Sequence, residues 1–126
     1  MKLLIADDSQ IVRHRLIEML HDFPAIESIY QATDVLETIE MFRRLKPDIM
    51  ILDLRMPSGT GMDVLKNIRQ EIGNTVVIVL TNYPFPQYKK ICLDLGARYF
   101  FDKSNEYEKL CQVFQELTHR QKYRNN

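Results

Sequence analysis

Apolar residues recur along the chain with two alternating periods. Two stretches are continuously apolar, Ile49-Met50-Ile51-Leu52 within 48–52 and Val76-Val77-Ile78-Val79-Leu80 within 75–80, the pattern of strands covered on both faces. Residues 2–6 and 98–101 read as two further strands, and 27–32 as a fifth whose polar Glu27, Ser28 and Gln31 suit a sheet edge. Between the strands the apolar positions fall at helical spacing. Residues 10–21 place Ile11, Val12, Leu16, Ile17 and Leu20 on one stripe. Residues 34–45 do so with Val35, Leu36, Ile39, Phe42 and Leu45 behind a capping Asp34. A third helix over 61–72 carries Met62, Val64, Leu65, Ile68 and Ile72, and a fourth over 86–95 opens on Pro86 and stops before Gly96. The last, over 104–119, opens on a capping candidate, Ser104, and presents Tyr107, Leu110, Cys111, Phe114 and Leu117. Connections too long for hairpins make the fold class α/β: one doubly wound, mostly parallel five-stranded sheet with helices on both faces.

The totals narrow this picture. A chain of 126 residues makes one domain, expected over 1–120 with 121–126 as a short C-terminal tail. With 45% hydrophobic and 27% charged residues, the composition is globular rather than disordered. Lys plus Arg equals Asp plus Glu at 17 each, which argues against direct nucleic-acid binding, a task that calls for a basic face. No apolar run reaches membrane-spanning length, and the run Leu3-Leu4-Ile5-Ala6 breaks at Asp7, short of a signal-peptide core. The expected location is the cytoplasm, with no membrane partner. Cys92 and Cys111 lack metal-ligand spacing and read as small buried side chains. His14, His21 and His119 fall in amphipathic helices and read as solvent-facing or partly packed, not as phosphohistidine chemistry.

The chemistry collects at strand ends. In a doubly wound sheet ligands bind outside the carboxyl ends of the strands. The first strand runs into Asp7 and Asp8, the third into Asp53, the fourth into Thr81, and the fifth stops just before Lys103. Each residue alone has a plain explanation as cap, loop hydroxyl or surface charge. Together they make a site. Converging carboxylates raise one another's pKa, and a hard divalent cation, Mg²⁺ or Mn²⁺, relieves that repulsion with oxygen ligands. A lysine and a hydroxyl beside them suit phosphoryl oxygens. The set fits phosphoryl transfer onto an aspartate.

Four segments in order, "LLIADDSQIVR", "PDIMILDLRMPSGTGMDVL", "VVIVLT" and "GARYFFDKS", resemble the receiver domains of two-component response regulators over essentially the whole chain. The resemblance implies a flavodoxin-like strand order 2-1-3-4-5. It implies that Asp53 is the phosphoacceptor, that Asp8 ligates Mg²⁺ directly and Asp7 through water, and that the backbone carbonyl of Arg55 completes the protein ligands. Thr81 and Lys103 would bind the phosphoryl group, and Phe100, three before Lys103, stands where the family has its switch aromatic. The implied partners are a sensor histidine kinase or phosphotransfer protein and a downstream protein. The face of the fourth helix, fifth strand and fifth helix would serve output or a homodimer. Such a chain is no enzyme beyond its own phosphoryl transfer and dephosphorylation.

Departures from the family pattern remove none of these groups but would retune rate or switching. Ser104 stands where many members have proline, Asn82 where a small residue is commonest, and Pro84 and Pro86 stiffen the following loop. Arg55 and Tyr83, two past Asp53 and two past Thr81, are large and placed to tune the lifetime of a phosphorylated state. Two other readings compete. A degenerate receiver acting as a constitutive binding module would more often lack an acid or the lysine. A metal-dependent phosphatase would need a second acid near Asp53, where the chain has Arg55.

Overall fold

The computed structural model describes the backbone over residues 1–124 and the side chains over residues 1–119. Five parallel strands form the sheet: β1 (Lys2–Ala6), β2 (Ser28–Ala32), β3 (Ile49–Leu52), β6 (Val76–Thr81) and β7 (Tyr99–Asp102). A two-residue antiparallel hairpin, β4 (Arg55–Met56) with β5 (Gly59–Thr60), is inserted after β3. The sheet order is β2-β1-β3-β6-β7, which is 2-1-3-4-5 once the hairpin is set aside. Strand order reverses between β1 and β3, the position of a ligand crevice in this class of fold.

Alternation along the strands divides the core in two. Leu4, Ala6, Met50, Leu52, Val77, Val79 and Phe100 face α2 (Val35–Leu45), α3 (Gly61–Ile68) and α4 (Pro86–Asp94). Leu3, Ile5, Ile49, Ile51, Ile78 and Leu80 face α1 (Gln10–Leu20) and α5 (Tyr107–Arg124). The central strands read as unbroken apolar runs because both of their faces are covered.

Local chemistry fixes the helix starts beside the site. The Ser9 hydroxyl accepts from the Val12 N–H and caps α1. Asp34 caps α2 by accepting from the Glu37 N–H at 2.8 Å. Thr60 and Asp63 make a reciprocal capping box at α3. Gly61 opens α3 where a Cβ would lie 2.4 Å from the carbonyl oxygen of Asp53. Only glycine lets that helix start against the end of β3.

Several expected boundaries shift. Ile11 and Leu36, placed on buried stripes by periodicity, are 81% and 67% exposed. In α1 the buried line is Leu16 and Leu20 with Val12 and Ile17 packed beside it, and in α2 it is Val35, Ile39 and Phe42, so Ile11 and Leu36 fall off the packed faces. The helix expected over 61–72 ends at Ile68 and tightens into a 3-10 turn, Arg69–Glu71. Ser104 does not cap α5: its N–H and hydroxyl both bond to Asp102 Oδ1, at 2.9 and 2.5 Å, and the helix begins at Tyr107. The expected tail is helical through Arg124, since no glycine or proline follows Ser104 to stop it. Asn125 and Asn126 lie outside the described residues. Cys92 is buried and Cys111 half-buried. Burial pushes the Cys92 thiol up to about 11, which leaves it unreactive.

Candidate functional site

The strand ends bring the acids together. Asp7 and Asp53 are buried and Asp8 is exposed. One carboxylate oxygen from each lies within 4.8 Å of the other two. The register explains the meeting: Ala6 pairs with Leu52, and the Asp53 N–H donates to the Ala6 carbonyl at 2.9 Å, so Asp7 and Asp53 leave adjacent strands at the same height.

Lys103 closes the cluster from the opposite edge. It follows β7, and its N–H donates to the Thr81 carbonyl at 2.9 Å. Its ammonium lies 2.7 Å from Asp7 Oδ2 and 3.1 Å from Asp53 Oδ2, with all three side chains buried. One cation thus serves two carboxylates. Burial pushes the Asp53 carboxyl above its ordinary value and the Asp7 charge adds to this, while Lys103 and the Arg55 N–H oppose it. For Lys103, burial alone would lower the pKa, but Asp7 and Asp53 together outweigh burial and raise it. Both directions follow from having two acids and one base in a dry pocket.

Thr81 is fully buried at the end of β6, and its hydroxyl accepts from the Tyr83 N–H at 3.0 Å. That bond uses a lone pair and leaves the hydroxyl proton free to donate. Across the mouth, the exposed Arg55 guanidinium donates to the Tyr83 hydroxyl and lies 5.5 Å from the centre of its ring. It is also within electrostatic reach of Asp8. Beside this pair a cleft of about 250 Å³ is lined by Leu54, Arg55, Thr60, Met62, Tyr83 and Tyr88. Phe100 is buried on the α4 side of the sheet with Cys92 and Ala97. Its neighbours Tyr99 and Phe101 stack on the opposite face with ring centres 5.8 Å apart.

The donor set fits a hard divalent cation. Three carboxylate oxygens converge, one of them on an exposed side chain that leaves an entry path, and a lysine ammonium already supplies positive charge between the other two. Sequence reasoning did not single out three residues near this cluster. Ser9 donates its N–H to Asp7 Oδ1 at 2.8 Å, Arg13 donates to the Asp7 carbonyl at 2.8 Å, and Gly61 allows the close approach to Asp53. Of these, only the glycine leaves a signal in the sequence, as the second glycine of "SGTG".

A transcriptional regulatory protein of Bacillus subtilis, YhcZ, itself uncharacterized, is 33% identical over 115 residues, 91% of this chain and 54% of that protein. A protein-glutamate methylesterase/protein-glutamine glutaminase of Vibrio vulnificus is 36% identical over 104 residues, 82% of this chain and 30% of that protein. The chain therefore spans about half or less of the length of these relatives. The REC domain of AraT, a response regulator from Geobacillus stearothermophilus, superposes with a TM-score of 0.81 at 27% identity, covering 99% of this chain and 98% of that one. The response regulator domain of Thermotoga maritima CheB superposes at 0.80 with 25% identity, covering 95% and 94%. No helix among the described residues is long and apolar enough to cross a membrane. The family model for the response regulator receiver domain matches residues 3–115, and on that match the chain belongs to this family of phosphorylation switches in two-component signalling.

Proposed function

We propose that this chain accepts a phosphoryl group on Asp53 from a histidine kinase or phosphotransfer protein, with Mg²⁺ or Mn²⁺, and then changes the face it offers a downstream protein. The observation that carries the reading is the knot of Asp7, Asp53 and Lys103 at the strand ends, with exposed Asp8 beside it. In the transfer, an Asp53 carboxylate oxygen attacks phosphorus and the phosphorus–nitrogen bond of the donor phosphohistidine breaks. The electron pair stays on the imidazole, and the phosphoryl group remains on Asp53 as an acyl phosphate.

Each residue has a role in this scheme. Asp7, Asp8, Asp53 and the Arg55 carbonyl would hold the cation, which supplies Lewis-acid charge for the phosphoryl oxygens. Lys103 pairs with those oxygens, and the free Thr81 proton donates to them. Phe100, buried beside α4, couples the site to the α4–β7–α5 face, which is the output or homodimer surface. Arg55 and Tyr83 set the lifetime of the phosphorylated state by covering the approach of water. The receiver unit is residues 1–120, it acts in the cytoplasm, and it contacts neither nucleic acid nor membrane itself. It has no turnover beyond its own phosphorylation and dephosphorylation.

The test is incubation with acetyl phosphate and Mg²⁺, followed by intact mass. The expected result is one added phosphoryl group in the wild type and none in Asp53→Ala. Labelling of that variant, or an unlabelled wild type, defeats the assignment. Sustained turnover of a phosphomonoester would point instead to a phosphatase.

A further inference from the structure

We infer that Arg13 is a positioning residue for the acidic pair, setting the geometry with which Asp8 meets Asp7 and Asp53 around a divalent cation. The inference rests on the metal-assisted reading above and goes beyond it. Its basis is how completely Asp7 is held. The Asp7 N–H donates to the Ala32 carbonyl at 3.0 Å. Its Oδ1 accepts from the Ser9 N–H at 2.8 Å and its Oδ2 meets the Lys103 ammonium at 2.7 Å. The remaining polar group is the carbonyl, which leads directly into Asp8. Arg13 Nη1 donates to that carbonyl at 2.8 Å.

The arginine is itself oriented. Its Nε donates to Gln31 Oε1 at 2.8 Å, so one planar guanidinium joins the end of β1 to the neighbouring β2. Arg13 reaches the carbonyl from the first turns of α1, whose start is fixed by Ser9: the Arg13 N–H donates to the Ser9 carbonyl at 3.0 Å. A carbonyl fixed at this point fixes the plane of the Asp7–Asp8 peptide, and that plane directs the Asp8 side chain. Asp8 is the exposed member of the acidic cluster, the one whose direction is least determined by packing. A fork bound to both a carbonyl and a side-chain amide resists rotation in a way a single lysine bond would not.

The sign of the effect separates this role from simple electrostatics. Arg13 is a cation near a cation site. If it acted only through its charge, removing it would tighten metal binding. If it holds the peptide, removing it weakens binding, typically by about tenfold for a residue that orients a metal ligand. The experiment is calorimetric titration of the metal-free full chain with Mg²⁺, without phosphodonor, for wild type, Arg13→Ala and Gln31→Ala, with melting in EDTA as the measure of fold.

The expected result is about tenfold weaker Mg²⁺ binding in Arg13→Ala, with metal-free melting close to wild type, and a smaller loss in Gln31→Ala. Equal or tighter binding in a folded Arg13→Ala overturns the inference alone. Should that variant fail to fold, Gln31→Ala decides: weaker binding supports the inference and unchanged binding overturns it. A wild type that binds no Mg²⁺ removes the metal site, and both readings fall together.

Discussion

The two sides of the site mouth are built on opposite principles. On one side, Asp7, Asp53 and Lys103 are buried, tied to each other and to the backbone of their strands. On the other, Arg55 is exposed and Tyr83 half-exposed, and one side-chain hydrogen bond joins Arg55, on the two-residue strand β4, to Tyr83, on the loop after β6. The buried side holds groups whose spacing is fixed by their mutual contacts. The exposed side holds groups that can part without disturbing the core. Under the proposed function, chemistry and timing would thus be separated in space, and a change on each side should report in a different observable.

The largest effect is expected from Lys103→Met. It leaves two buried carboxylates facing each other without their cation, and breaking a buried pair this way costs about 3 kcal/mol or more. Denaturant melts in EDTA should show that loss, and saturating Mg²⁺ should recover part of it. A variant as stable as wild type without metal would mean that the knot is not a unit.

Mg²⁺ itself should stabilise the wild type, because it relieves the same repulsion. At ten times its dissociation constant the gain is about 1.4 kcal/mol. A melting temperature indifferent to Mg²⁺, against a well-chelated control, would remove the argument for a cation at Asp7, Asp8 and Asp53.

Asp53→Asn should stabilise the metal-free protein by about 1 kcal/mol, the usual scale for one site. The sign follows from linkage. Burial and Asp7 raise the carboxyl of Asp53 above its ordinary 3.8, so between that value and the folded one the native state holds a proton that the unfolded state has released. The contribution of Asp53 to stability therefore falls as pH rises through this window and stays lost above it. The gap between Asp53→Asn and wild type should open from low pH to neutral, read from paired melts. A gap that closes instead would reverse the assignment of the strained acid.

The smallest effect on stability belongs to the exposed side. Arg55→Ala and Tyr83→Ala should each change unfolding free energy by less than about 0.5 kcal/mol. Each should nonetheless speed decay of the phosphorylated protein by about fivefold, corresponding to about 1 kcal/mol of shielding. Mass spectrometry after donor removal follows the decay. Slower decay in Arg55→Ala would show the guanidinium assisting hydrolysis, as an arginine can when charge develops on phosphorus.

The fold was legible in the sequence wherever burial is complete. Residues 49–52 and 77–80 are buried throughout, and residues so placed have little choice but to be apolar. The strand ends were legible for the same reason, because a carboxylate directly after such a run is conspicuous. Periodicity failed where burial is partial. Ile11 and Leu36 have apolar side chains on turns that face solvent, and nothing in a spacing rule separates them from Leu16 or Ile39. Ser104 misled because its N–H and hydroxyl both donate to Asp102 Oδ1, closing a local turn, and the helix begins only at Tyr107. Arg13 was invisible because its target is a backbone carbonyl, which no residue type advertises.

The reach of Lys103 has a consequence for how the chain comes into being. β7 is an edge strand, yet Lys103, directly after it, reaches past β6 to meet acids at the ends of β3 and β1. A chain emerging from the ribosome presents Asp7, Asp8 and Asp53 long before residue 103 has been made. Without that lysine the acids at the strand ends lack their buried cation, and their mutual repulsion opposes closure of the site. The last strand of the sheet in chain order leads into the group that lets the first ones settle, so the sheet and the site are completed together.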